Sequence, residues 1–237
     1  MNPAATESTV VDIVRLGPSR LSELMEIQKA VCEHLPNPEL YFPVSEREML
    51  ELLGSDAICV GAQQGTRLVG FFGVLFMGTR AGNVGEDLGL APHELSLVAY
   101  FKAVNVLPDY RGIGLQARMT KALFMQLGVG GQVSDESPDF PPLKWLCSTV
   151  SPLNVPSLKT FLDHGFWVAA LKPKYLGYQR CILIRQIADT QHSHSESVVA
   201  SLQDYQEQKE LLRSGMIGCQ LVCDSDTPTI HYIQVNR

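Results

Sequence analysis

The 237-residue chain has little of what marks several protein classes. It has no run of lysine and arginine, and its formal net charge is −6. A sequence-independent nucleic-acid binder needs net or clustered positive charge, so no nucleic-acid partner is expected. The longest apolar run, Leu68 to Met77, falls well short of the roughly 20 residues that cross a bilayer, so no membrane partner is expected either. The start, Met1 to Thr9, is polar and lacks an apolar core segment, which argues against a secretory signal. Cysteine is sparse. Cys32, Cys59, Cys147, Cys181, Cys219 and Cys223 are scattered, mostly in apolar runs, and read as reduced core thiols of a cytoplasmic protein. Cys219 and Cys223 have no second ligand pair nearby, and His192 and His194 stand in a polar stretch that reads as solvated linker. No metal site is expected.

The 45% hydrophobic content is ample for a core, and the length suits one large domain or one domain with an appendage. Val10 to Leu16 reads as a strand. Ser19 can cap a helix through about Leu35, where Pro36 and Pro38 break it. Ser45 and Glu48 form a capping-box pattern for a short helix to Leu53. Ala57 to Ala62 and Leu68 to Met77 read as a hairpin, Gly78 to Pro92 as an irregular loop, and Leu97 to Val106 as the next strand. Leu115, Met119, Leu123 and Leu127 recur every fourth residue, a helix with one face on a sheet. After a loop from Gly128 to Pro142 come a strand (143–150), a helix (154–164) and strands at 166–171 and 178–187. Adjacent strands in runs rule out strict βα alternation and indicate an α+β fold with a mixed sheet. Ser197 to Arg213 reads as a helix, and Gly218 to Cys223 with Ile230 to Val235 as a terminal hairpin.

The most informative stretch is Asn105-Val106-Leu107-Pro108-Asp109-Tyr110-Arg111-Gly112-Ile113-Gly114-Leu115-Gln116. A strand runs into a glycine turn and then into a helix. Glycine permits unusual backbone angles and close approach, and a helix N-terminus offers unpaired N–H groups and partial positive charge. Together they can cradle a diphosphate, although an ordinary strand-to-helix turn would look the same. Downstream, Asn154, Ser157 and Phe161 fall at i, i+3 and i+7, one face of a helix, and Gly165-Phe166 follows.

Both stretches resemble motifs of the GNAT acetyltransferase superfamily, in the family's order, and the resemblance covers roughly residues 10–187. It implies a mixed, mostly antiparallel sheet of about seven strands, splayed at its centre with helices on both faces, followed by a linker (188–196) and a C-terminal extension (197–237). It implies acetyl-CoA as cosubstrate, with Val104, Val106, Arg111, Gly112, Ile113, Gly114, Leu115, Gln116, Asn154, Ser157 and Phe161 as the binding set. Val106 N–H would donate to the thioester oxygen and Val104 would pair along the pantetheine. Gln116 departs from the family's Gly or Ala, and Phe161 from its frequent proton-donating Tyr. Ser157 and Tyr175 are therefore the candidate acids. Glu94, just before the fourth strand, is the first candidate base; His93 is nearby, and Tyr100 and Lys102 share the parity of Val104 and Val106.

The function so implied is acetyl transfer to a primary amine of a small molecule. A longer acyl-CoA and a non-catalytic CoA-binding sensor or assembly module are the alternatives. The acceptor walls are expected from segments 36–44 and 78–92 and from the extension. The extension itself would cover a sheet edge, wall the site or build a homodimer.

Overall fold

The computed structural model describes residues 10–131, 142–188, 197–224 and 227–234. The first strand, β1 (Val11–Arg15), leads through a single turn of 3-10 helix into α1 (Leu21–Glu33). Leu24, Ile27, Gln28 and Val31 form the buried face of α1. The capping box forms at α2 (Glu46–Glu51): the Ser45 hydroxyl accepts from Glu48 N–H, and the Glu48 carboxylate accepts from Ser45 N–H at 2.8 Å. β2 (Ala57–Gln64) and β3 (Arg67–Phe76) pair as an antiparallel hairpin around Gly65.

The stretch from Gly78 to Pro92 is more ordered than its glycines suggest. It contains α3 (Val84–Asp87), and α4 (Pro92–Leu95) starts at its end. Buried Asn83 organises it, donating to Leu95 C=O at 2.8 Å and accepting from Gly85 N–H at 2.9 Å. Then come β4 (Val98–Val106), α5 (Leu115–Gln126), β5 (Trp145–Val150), α6 (Val155–Asp163), β6 (Trp167–Lys174) and β7 (Tyr178–Gln186). The apolar stripe of α5 is buried as read: Leu115, Met119, Leu123 and Leu127 all lie in the core. Two apolar clusters, one on each face of the sheet, form that core.

The sheet is larger than expected. Among the described residues it has ten strands in the order β1-β2-β3-β4-β5-β7-β6-β9-β10-β8, not seven. The additional three come from the extension: β8 (Ser197–Ser201), β9 (Met216–Val222) and β10 (Thr229–Gln234). The helix read over 197–213 is correspondingly shorter. Ser-Val-Val-Ala-Ser pairs with β10 as a strand, because its β-branched residues suit a pleated surface. Asp204 then caps α7 (Tyr205–Arg213), accepting from Gln206 and Glu207 N–H. The terminal hairpin forms as read, and β9 meets β6 where Val168 faces Gly218. Ala200, Leu202, Met216, Leu221, Ile230 and Tyr232 join Val168, Leu171 and Cys181 in one core cluster. Apart from Ala188, the expected linker lies outside the described residues, as do residues 1–9 and most of the 128–142 loop.

Candidate active site

The site begins with a fault in β4. Gly73 pairs with Ala103, but Val74 pairs with Phe101, so Lys102 is an extra residue, a β-bulge. A bulge bends its strand and shifts the alternation of faces by one. Phe101 and Val104 therefore share one core cluster, while Tyr100 and Ala103 belong to the other. The expectation that Tyr100 shares the parity of Val104 and Val106 fails here, because simple alternation cannot see a bulge.

The bulge coincides with the end of β4–β5 pairing. The two parallel strands pair from Val98 with Trp145 to Phe101 with Ser148, and no further. The Ser148 hydroxyl closes the apex, donating to Phe101 C=O at 2.9 Å. Beyond it β4 stays paired with β3, and β5 with β7. Leu107 N–H bonds Val69 C=O, so by antiparallel alternation Ala103 and Asn105 also face β3. The backbone groups of Val104 and Val106 thus turn the other way, into the opening.

The glycine turn stands at the end of this open strand. Gly112 and Gly114 have φ of +78° and +74°, and a Cβ at either would meet nothing within 4 Å. Gly114 is the N-cap of α5, and no side chain caps that helix. The first-turn N–H groups of Leu115 and Gln116 therefore lack the side-chain acceptor that usually covers them. The Leu115 side chain is buried in the core, so only its backbone can serve a ligand, whereas Ile113 is exposed. Arg111 Nε donates to Val106 C=O at 3.3 Å, which holds its guanidinium beside the turn. Such a cradle, open, positive and free of Cβ atoms, fits a diphosphate.

Asn154 caps α6, accepting from Ser157 N–H at 3.3 Å. Ser157 Oγ accepts from Gln116 Nε2 at 3.1 Å, so the residue that departs from the family pattern ties α5 to α6. A cavity of about 300 Å³ runs along Val104, Val106, Arg111, Gln116, Asn154 and Ser157. A second, of about 200 Å³, continues from Val104, Asn154 and Ser157 toward Lys102, Tyr175 and Arg180. Phe101 and Phe161 are part of its apolar lining, and Phe161 packs edge-on against Phe72, Phe101 and Phe166.

Tyr175 comes to this second cavity from the β6–β7 turn. Its φ of +42° and that of Leu176, +59°, are left-handed values that side chains other than glycine disfavour. The Tyr175 hydroxyl lies 2.8 Å from the Tyr100 hydroxyl and 3.1 Å from that of Thr149, and the latter two are 2.8 Å apart. Burial pushes the Tyr100 phenol well above its ordinary pKa, so Tyr100 stays protonated. The Phe42 ring stacks on Tyr175 at 4.8 Å and 9°, roofing the cavity.

Sequence reasoning assigned Glu48 only to a helix cap, yet its carboxylate also lines this cavity and accepts from Lys102 Nζ at 2.8 Å. Burial raises the Glu48 pKa, but the Lys102 and Ser45 hydrogen bonds outweigh it and leave the group below its ordinary value. The signal was available in principle: capping by Glu48 fixes which way α2 presents it. Glu94 is not among the residues that line either cavity. Its carboxylate accepts from Lys144 Nζ at 2.6 Å and from Trp145 Nε1 at 3.3 Å, and the Lys144 bond holds its pKa down. Among the described residues, only 36–44 of the three expected wall segments contributes; the linings of these two cavities include no described residue of 78–92 or of the extension. Asp87 instead ties that loop to β6 through Lys174 at 2.6 Å. Among the described residues no cluster of three or more His, Cys, Asp or Glu is placed to hold a metal.

No family model matches the chain, and no curated protein matches it by sequence. Solved structures do match its fold. The ribosomal-protein-S18-alanine N-acetyltransferase of Escherichia coli aligns at TM-score 0.53 with 17% identity, over 79% of this chain and 100% of that one. Diaminobutyrate acetyltransferase of Paenibacillus lautus, in complex with L-2,4-diaminobutyric acid and coenzyme A, aligns at TM-score 0.52 with 14% identity, over 78% and 99%. A GNAT-family acetyltransferase of Streptococcus pneumoniae aligns at TM-score 0.52 with 11% identity, over 75% and 99%. With its bulged fourth strand, its central splay and its glycine turn at the head of α5, the chain has the fold of the GNAT acetyltransferases.

Proposed function

We propose that the protein is an N-acetyltransferase that moves an acetyl group from acetyl-CoA to a primary amine of a small molecule. The observation that carries this reading is continuity. The glycine cradle opens onto the unpaired edge of Val104 and Val106, and that edge leads to a cavity with a phenol, a carboxylate and an ammonium group. When bound, acetyl-CoA supplies an acyl thioester that an amine can attack.

The residues of the chain divide the remaining work. Arg111 and the N-terminus of α5 hold the diphosphate, and Gly112 and Gly114 leave room for it. Val106 N–H, on the unpaired edge of β4, polarises the thioester carbonyl. Tyr175, with its hydroxyl bonded to Tyr100 and Thr149, holds the proton that the leaving sulfur takes. Glu48 rather than Glu94 draws in the acceptor ammonium and takes its proton, directly or through water, since Glu48 lines the cavity and Glu94 lines neither. Phe101 and Phe161 give the pocket rigid aromatic walls, which favours a short acyl group over a long one. The Phe42–Tyr175 stack favours a small acceptor over a polypeptide, which would have to thread beneath it. The cytoplasmic setting read from the thiols belongs to the same proposal, and Cys32, Cys59, Cys147, Cys181, Cys219 and Cys223 are all free.

The test is acetyl-CoA turnover, followed as thiol release, against a panel of small primary amines, with CoA affinity measured separately by calorimetry. Amine-dependent thiol release with an acetylated product is expected. Tight CoA binding with no turnover on any amine would favour a non-catalytic CoA-binding module.

A further inference from the structure

Arg180, on β7, is 3% exposed, and its Nη2 has no hydrogen-bond partner. Its Nη1 donates to Gln179 C=O at 2.9 Å, and the guanidinium lies 5.6 Å from the centre of the Tyr175 ring and 5.7 Å from that of Tyr178. None of these partners carries a full negative charge. Glu39 acts on it only at long range, without an ion pair, and burial lowers the Arg180 pKa. A buried charge without a counter-ion is costly, and buried cations are ordinarily paired. The same cavity holds a second cation, Lys102, but that one is already neutralised by Glu48 at 2.8 Å. Arg180 thus brings an unmatched positive charge to the lining of a cavity of about 200 Å³, beside the proposed proton donor Tyr175.

We propose that the acceptor amine carries a carboxylate, which pairs with the Arg180 guanidinium: the substrate is a small amino acid. This rests on the acetyltransferase reading above and adds the class of its acceptor. A carboxylate supplies the missing counter-charge, and a guanidinium–carboxylate hydrogen bond is charge-assisted, about twice as strong as a neutral one. A neutral amine of the same size leaves Arg180 as it stands, buried and unpaired. The binding energy gained on closing this pair is what separates the two kinds of acceptor.

The test compares each common L-amino acid with its carboxamide for binding to the full-length protein saturated with CoA, by calorimetry, and as acceptors in the turnover assay. At least one acid is expected to bind more than tenfold more tightly than its amide, and Arg180→Gln is expected to abolish that preference while leaving CoA affinity intact. If no acid exceeds its amide in the wild type, the proposal is overturned. It is also overturned if the preference survives in Arg180→Gln, or if succinyl-CoA replaces acetyl-CoA as the better donor, which would place the anion on the acyl group. The wild-type comparison stands alone should the variant fail to fold. Acetylation of amides and acids alike would sink this inference and leave the acetyltransferase reading intact; failure to bind CoA would sink that reading instead.

Discussion

Gly114 meets two demands at one position. Its left-handed φ of +74° disfavours any side chain, and the space a Cβ would enter is where a diphosphate would lie. Gly114→Glu adds both a side chain and a negative charge there, and is expected to weaken CoA binding more than tenfold, read by calorimetry on the folded variant. Tyr175→Phe keeps the stack on Phe42 and removes only the hydroxyl. It is expected to lower turnover by about 10²-fold with CoA affinity unchanged. Glu48→Gln preserves the capping box, which accepts Gln as well as Glu, so its effects report on charge. A similar loss of turnover is expected, whereas Glu94→Gln should leave the rate near normal. Glu48 also predicts a pH dependence. Its folded pKa lies below the unfolded value of about 4.3, so its stabilisation is complete above that value and is lost as pH falls through the folded pKa. The difference in Tm between wild type and Glu48→Gln should therefore shrink as pH falls below about 4. The glycine turn and the helix start were legible in the sequence because their requirements are local. The surroundings of Glu48, Arg180 and Glu94 were not, because they depend on which side chains meet across the sheet.

At the scale of elements, the β4 bulge decides the site. An extra residue at Lys102 ends the β4–β5 ladder and brings Phe101 and Val104 to one face. The splay was expected from resemblance alone, since a bulge leaves no mark on hydrophobic alternation that composition can reveal. Its apex depends on Ser148. Ser148→Ala removes the hydroxyl that bonds buried Phe101 C=O, and is expected to cost about 1–3 kcal/mol in denaturant unfolding. The helices were more legible than the loops. The capping box at Ser45 and the stripe of α5 declare themselves by spacing, whereas the order in the 78–92 segment rests on long-range contacts of buried Asn83 and of Asp87.

For the whole molecule, the C-terminal strands are a continuation of the sheet. Gly218 is the point of closest approach: a Cβ there would stand 2.7 Å from Ile230 Cδ1 and 3.2 Å from Val168 Cβ. Gly218→Val is expected to force β9 away from β6 and to destabilise the protein by about 1–3 kcal/mol, seen as a lower Tm. Truncation after Gln186 removes Met216, Leu221, Ile230 and Tyr232 from a shared core and exposes the β6 edge. Insoluble protein is expected; a soluble truncated form that binds CoA normally would show the extension to be dispensable. The sequence showed that the extension had an apolar side. It did not show what that side meets, because strand order across a sheet is a long-range property.

The break between β4 and β5 also divides the molecule as a material. On one side lie β1 to β4, on the other β5, β7, β6 and the C-terminal strands; between the strands runs a short ladder at one end, and side chains join the halves through the shared core. Such a joint is a natural hinge line for partial opening, with each half-sheet yielding as a unit. Three buried thiols report on the halves separately: Cys59 on β2, and Cys147 and Cys181 on β5 and β7. All three are buried, which shields them and raises their pKa, so a thiol reagent reaches them only when the structure around them opens. Under native conditions Cys147 and Cys181 should label at a common rate, and Cys59 at another; CoA, bridging the joint, should slow both.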